Sequence, residues 1–462
     1  MRLNRRQWMQ AASAALASLT AGRSARAETP PSRLSPGRMM EDLDYLRTQW
    51  APLDRSFSER QRQILDGVIA EAGSRVASLS VEDFALYVMR AAAIPRNGHT
   101  TALVGRLLGS LPIRTWWFAD GLHIVSAQPQ FPHVLGARVE KLGGMTPDEA
   151  LAAVAPFISG TDQRIRYLSA AYLTSPAVLR RIGAVPDAAE IPVTLRLADG
   201  GLHRASLGAA TAPDPGDGHD PVFSGWSALI PDDPDMPGRW PHVLDGIDTR
   251  SPVYAKPTDL STTWMGSAGK VLYVRSNYLR SQGQDARYQG WVFGVLQGLV
   301  VPKQPQAVIV DLRLNNGGNF FDTLLFAQAL PKLMPAGGRV FVLIGRATFS
   351  AALVTAAMLK GAGPDKVIFI GEPMGDNGHF WAEPGTKILP NSGITVFYST
   401  RFEDYEHGCS DPGQCYWPTI AFGPRNISLA PDIAVDVSFS DYAAGRDPVL
   451  ERALAMADRG AP

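Results

Sequence analysis

Apolar residues recur at three- and four-residue spacing between residues 37 and 93, as in Met40, Leu43, Leu46 and Trp50 and again in Ile64, Val68 and Ile69. That period predicts helices with one buried face. Ser80-Val81-Glu82-Asp83 has the form of a capping box ahead of Phe84, Tyr87 and Val88. From Leu111 to about Leu207 the pattern becomes that of short strands with one or two helices. Trp116, Trp117, Leu122, Ile124 and Val125 predict a hairpin turned at Asp120-Gly121. Residues 137–142 alternate as a further strand ended by Gly143-Gly144, Thr146-Pro147-Asp148-Glu149 opens a helix, and residues 193–201 close with another hairpin. Residues 209–260 are rich in Pro, Asp and Gly and read as a connecting region. Asp214, Asp217, His219 and Asp220 cluster there, as in a solvated turn, with a calcium or zinc site as the alternative. Beyond Lys270, strands at 271–274, 307–312, 340–344 and 367–370 alternate with helices at 289–299, 320–333 and 350–359. Such βα alternation predicts an α/β core with mainly parallel strands.

Composition adds two constraints. The 462 residues, 45% hydrophobic and 19% charged, describe an ordinary globular chain of two or three domains. Basic and acidic residues balance at 44 each, so no nucleic-acid footprint is expected. Residues 1–27 are set apart by Arg5-Arg6, an alanine-rich apolar stretch and Ala25-Arg26-Ala27. These features predict a cleaved export signal of the twin-arginine type, or an ordinary secretory signal carrying two arginines. Its removal takes away Arg2, Arg5, Arg6, Arg23 and Arg26 and leaves the mature chain acidic. No later stretch is long and apolar enough to span a bilayer, so a periplasmic or secreted protein is expected. Cys409 and Cys415 share one loop and would close a short disulfide in an oxidising compartment, or stay as two thiols.

Two segments carry chemistry. Asp311-Leu312-Arg313-Leu314-Asn315-Asn316-Gly317-Gly318 follows a buried strand, and its glycines let backbone amides approach a ligand. In Gly345-Arg346-Ala347-Thr348-Phe349-Ser350-Ala351-Ala352 a serine opens a helix. Such a serine is either an N-cap or a nucleophile whose neighbouring amides polarise a carbonyl.

The ordered set of motifs resembles the tail-specific (C-terminal processing) serine proteases. Asp311 to Gly318, Thr348 to Ala351, Gly371-Glu372-Pro373-Met374-Gly375 and Pro431-Asp432-Ile433-Ala434-Val435 follow the family's order, and Asn97-Gly98-His99-Thr100 looks like its upstream Asp-x-His-Thr. The resemblance implies a ClpP/crotonase-like α/β catalytic core with an N-terminal helical domain and a PDZ-like inserted domain. The corresponding boundaries are 28–108 for the helical domain, 109–208 for the PDZ-like domain, 209–260 for the connection and 261–462 for the catalytic domain.

One departure stands out. The processing members carry a dyad lysine in a Gly-Lys-Gly turn, and the matching stretch here, Gly375-Asp376-Asn377-Gly378-His379, has none. It looks like a lysine-free branch, whose chains continue into a Leu-Pro-Asn-Ser-Gly strand, here residues 389–393, and which is related to the tricorn core protease and the interphotoreceptor retinoid-binding protein. By analogy with tricorn, His99 is the candidate base for Ser350, with His379 as the alternative. The resemblance places the oxyanion on the amides of Gly317 or Gly318 and Ala351, with Arg313 and Asn315 bracing the glycine turn. Glu372, Glu403 and Asp404 are candidates for the acid that orients the base, and Glu372 equally for a structural partner. Asp311 is expected to be an anchor, and Lys360, Lys366 and Lys387 solvated surface. The implied function is an exported serine hydrolase that cleaves peptides or unfolded protein tails through an acyl-enzyme, without metal or organic cofactor. A binding protein on the same scaffold and a small-molecule esterase or amidase are the alternatives.

Overall fold

A computed structural model describes residues 34–186, 190–210, 228–232, 235, 238–249, 251–255, 260–277 and 286–459. The expected signal segment and the cluster of Asp214, Asp217, His219 and Asp220 lie outside the described residues.

Among the described residues three α-helices come first: α1 Pro36–Tyr45, α2 Glu59–Arg75 and α3 Val81–Ala93. Ser58 and Ser80 cap the second and third by accepting the backbone N–H of Gln61 and Asp83. A short strand β1, Ala102–Leu103, follows. An antiparallel sheet then forms from β2 Ile113–Phe118, β3 Gly121–Ala127, β4 Arg138–Leu142, β5 Glu190–Arg196 and β6 Leu202–Gly208, in that spatial order. Helices α4 Pro147–Val154, α5 Asp162–Tyr172 and α6 Pro176–Arg181 are inserted between β4 and β5. The helices and this sheet bury their apolar faces in one shared core, in which Phe84, Trp117, Ile124 and Leu168 meet.

The C-terminal half is built on a six-stranded sheet. Its strands are β7 Leu260–Met265, β8 Val271–Ser276, β9 Ala307–Asp311, β10 Arg339–Ile344 and β11 Val367–Gly371, with β16 Ile433–Ala434 at the far edge. All neighbours are parallel except β7 and β8. Both faces of this sheet are covered, which is why its strands read as unbroken apolar runs. Val308, Val310, Val340 and Val342 face α8 Phe321–Leu333 and α9 Ala351–Ala362, after α7 Ala286–Gly294. Ile309, Phe341 and Leu343 point the other way, against Val449, Leu450 and Ala453 of α10 Pro448–Asp458. Each fully buried Val or Leu side chain contributes roughly 1.5–3 kcal/mol. In register, Leu343 stands beside Asp311 and Ile344 beside Gly371, so the turns that follow β9, β10 and β11 leave the sheet together.

Between β11 and β16 the chain forms β12 His379–Ala382, β13 Gly385–Ile388, β14 Thr395–Tyr398 and β15 Arg401–Asp404. β12 pairs with β15, while β14 lies between β13 and β1. The Leu389–Gly393 stretch, expected as a strand, is instead the turn from β13 to β14. Pro390 has no N–H to give a ladder, and Gly393 has φ +70°. Asp42 of α1 accepts the N–H groups of Asn391 and Ser392 at 2.9 and 2.8 Å and pins this turn to the N-terminal helices. Among the described residues, no helix is long and apolar enough to cross a membrane.

Candidate active site

Ser350 follows the turn after β10. Its φ of 54° and ψ of −129° are a conformation that side-chain-bearing residues rarely adopt. For that reason α9 begins at Ala351 rather than at the serine. Ser350 makes no capping hydrogen bond with its side chain. Its Oγ instead stands 2.8 Å from His99 Nε2.

His99 is brought there by a braced loop. Thr100 Oγ1 donates to Asp54 Oδ2 at 2.6 Å, and Asn97 Nδ2 donates to Ser399 Oγ at 2.9 Å. Trp381 N–H donates to Asn97 Oδ1 at 3.2 Å. The imidazole is stacked on Phe349 and Phe380, at centroid distances of 4.5 and 5.4 Å. Gly98 is required beside it, since a Cβ there would meet Phe349 Cε2 at 2.6 Å. Burial first, and then the charge of Arg164, hold the His99 pKa down at about 3. The ring is therefore neutral and able to accept a proton at neutral pH.

The other ring nitrogen, Nδ1, faces Asp376 Oδ2 at 3.9 Å. Neither atom has a hydrogen-bond partner. Burial raises the Asp376 carboxyl to about 7, against the opposing pull of the Asn377 N–H and Arg164. The Asp376 turn is held by α5, whose capping Thr161 donates from Oγ1 to the Gly375 carbonyl at 2.9 Å. Arg164, one turn further on, lies 3.9 Å over the Phe349 ring and donates to Asn316 Oδ1 at 2.7 Å.

The glycine turn after β9 packs directly under the serine. A Cβ on Gly317, at φ +104°, would meet Ser350 Cβ at 2.6 Å and the Phe349 carbonyl at 2.9 Å. Asn315 organises the turn by accepting the Gly317 N–H at 2.8 Å through Oδ1 and the Phe349 N–H at 3.1 Å through its carbonyl. The Gly317 amide, expected as an oxyanion donor, is thus already donated within the turn. Gly318 follows at φ +135°, and the Ala351 amide heads α9, where first-turn N–H groups have no intrahelical acceptor. Arg313 braces the turn from below through a buried ion-pair set: its guanidinium binds Asp311 at 2.6 Å and Asp447 at 2.7 Å, and Tyr273 also donates to Asp311. Asp311 is the anchor it was expected to be.

The remaining candidates are engaged elsewhere. Glu372 is ion-paired with Arg346. Glu403 accepts from Tyr405 and Thr419, and burial raises it to about 8. Asp404 accepts the N–H groups of Glu406 and His407. His379 is half exposed and faces Glu406 Oε2 at 3.2 Å, while the Ser350 hydroxyl faces His99. Lys360, expected as solvated surface, is largely buried and binds Asp432 at 2.8 Å. Lys366 donates to the Pro331 and Met334 carbonyls at the other end of the sheet. Sequence reasoning missed Asp376 and Arg164. Asp376 lies in the turn singled out for its missing lysine, and its carboxylate was the signal there. Arg164 had none, because only the docking of α5 brings it to the serine.

No family model matches the chain, and no curated protein matches it. Solved structures do. Mature CPAF complexed with lactacystin aligns over 92% of this chain and 99% of its own, at 13% identity and a TM-score of 0.56. A CPAF point mutant aligns over the same shares at 11% identity and a TM-score of 0.57. The photosystem II D1 C-terminal processing protease aligns over 87% of this chain and 93% of its own, at 13% identity and a TM-score of 0.36. The likeness to CPAF establishes a shared mixed α/β fold over nearly the whole chain. In its motifs the chain resembles the tail-specific proteases.

Proposed function

We propose that this protein is an exported serine peptidase that cleaves peptides or unfolded protein tails through an acyl-enzyme on Ser350. The observation that carries the reading is the Ser350 hydroxyl, held in a strained backbone conformation, making no cap and set 2.8 Å from His99 Nε2. A serine hydroxyl becomes nucleophilic when a neighbouring base accepts its proton. His99 takes that proton as Oγ attacks the carbonyl carbon and later returns it to the leaving amine. Asp376 steadies the imidazolium formed in between, its 3.9 Å separation closing in the substrate complex, where such contacts commonly tighten. The amides of Gly318 and Ala351 receive the oxyanion.

In this reading residues 109–208 are a PDZ-like domain and the six-stranded sheet with α8 and α9 is the ClpP/crotonase-like core. A peptide would dock by adding a strand beside β6, the outer strand of the antiparallel sheet among the described residues, which presents exposed Leu202. The Cys409–Cys415 disulfide supports an oxidising compartment, in keeping with export through the signal read in residues 1–27.

The test is labelling of the mature protein with a fluorophosphonate probe, together with hydrolysis of a fluorescent denatured protein. Wild type is expected to label and to cleave, and Ser350→Ala and His99→Ala to do neither while remaining folded. Folded wild type that never labels would sink the reading in favour of a binding protein on this scaffold. Labelling with turnover of small esters alone would make it an esterase.

A further inference from the structure

Away from Ser350, one group of side chains converges with the chemistry of metal ligands. His379 opens β12, and Glu406 and His407 follow the end of β15, whose Asp404 pairs with His379 across the ladder. One donor atom from each of His379, Glu406 and His407 lies within 4.8 Å of the others. His379 Nδ1 and Glu406 Oε2 are 3.2 Å apart. Two donors bound to one tetrahedral zinc ion stand about 3.4 Å apart, so this spacing suits a shared cation. His407 turns Nδ1 to Asp404 Oδ2 at 3.3 Å, which leaves Nε2 for the ion. A carboxylate on the second nitrogen is the usual way a ligating histidine is oriented.

The three residues stand on braced backbone. Asp404 Oδ1 accepts the N–H of Glu406 at 3.0 Å and of His407 at 2.8 Å. Tyr405 N–H donates to the Gly378 carbonyl at 2.8 Å, and Asn426 N–H donates to that of Glu406 at 2.9 Å. The Cys409–Cys415 disulfide closes the loop just past His407. We propose that His379, Glu406 and His407 bind a transition-metal dication of the zinc type, with Asp404 orienting His407 and solvent completing the shell. Two imidazoles and a carboxylate suit such an ion. The site adjoins the turn that carries Asp376: a Cβ on Gly378 would meet Glu406 Cγ at 2.3 Å, so a bound ion stiffens that turn.

The proposal is independent of the hydrolase reading, because its readout is metal uptake. Zinc binding to tag-free protein with its disulfide intact is measured by calorimetry, alongside the melting temperature with and without zinc. Wild type is expected to take up about one ion per chain and to melt higher with it. His379→Ala and His407→Ala, at exposed positions that leave the fold intact, are expected to bind at least roughly 10-fold more weakly, the smallest loss that removing even an outer-shell partner of a ligand causes. Glu406→Gln, nearly isosteric, should also weaken uptake. Uptake unchanged in the His379→Ala/His407→Ala double variant, or no saturable uptake by wild type, overturns the assignment.

Discussion

The carboxylate of Asp376 stops 3.9 Å short of His99 Nδ1, and both groups are buried and lack another partner at those atoms. Burial drives the two pKa values apart from their solution values in opposite senses, His99 down to about 3 and Asp376 up to about 7. At neutral pH the imidazole is already neutral, so the proton still to be lost is the one on Asp376. Labelling of Ser350 is therefore expected to rise as pH passes through about 7. Asp376→Asn should lose that step and run roughly 10²–10⁴-fold slower. A wild-type profile flat across this window would show that Asp376 does not act on His99.

Stability should move the opposite way. The folded-state pKa of Asp376 is raised from its ordinary 3.8, so the stability linked to it is present below that value and lost as pH rises through about 7. Asp376→Asn removes the cost of an ionised buried carboxylate. The variant is expected to melt higher than wild type near pH 8, with the gap shrinking toward pH 4. Calorimetric scans at both ends check this, and a variant that melts lower near pH 8 would contradict it.

Gly317 tolerates no side chain. At φ +104°, with Ser350 Cβ only 2.6 Å from the place a Cβ would take, Gly317→Ala must push the serine off His99. Labelling is expected to fall by roughly 10²-fold or more, since small displacements of a reacting group cost that much. A variant that labels at the wild-type rate would mean that the turn yields.

Arg313 is shared between two buried carboxylates, Asp311 and Asp447. Removing Asp447 strips the buried guanidinium of two acceptors while Asp311 still balances its charge, and a lost hydrogen bond to a charged group costs about 1.5–3 kcal/mol. Asp447→Ala should lower the urea midpoint accordingly. Lys360→Ala, which breaks a pair whose Asp432 partner reaches solvent, should cost less.

Much of this architecture could be read from the chain. The βα alternation gave the parallel sheet because strands buried on both faces leave unbroken runs such as residues 307–310, and punctuation such as Asp120-Gly121 marked the hairpin. β12 to β15 were harder to see. They are four-residue strands whose burial alternates only briefly, and Pro390 and Gly393 obscure the turn between two of them. At the site, Ser350, His99 and the glycine turn are local motifs and were legible. The Asp376 contact depends on the fold of a turn, and Arg164 on the packing of α5, which no local pattern encodes. The engagement of the Gly317 amide by Asn315 likewise belongs to three-dimensional geometry.

The loop that carries His99 is fastened by Ser399, which donates its N–H to Asp54 at 2.8 Å and accepts from Asn97 with its hydroxyl. Ser399 lies beyond Ser350 in the chain. During synthesis, or in a partly unfolded molecule, the serine therefore exists before the clamp that presents its base. On the proposed reading the growing polypeptide is chemically silent until β14 has been laid against β1, so an enzyme that cuts unfolded chains is spared from digesting itself while it is one of them.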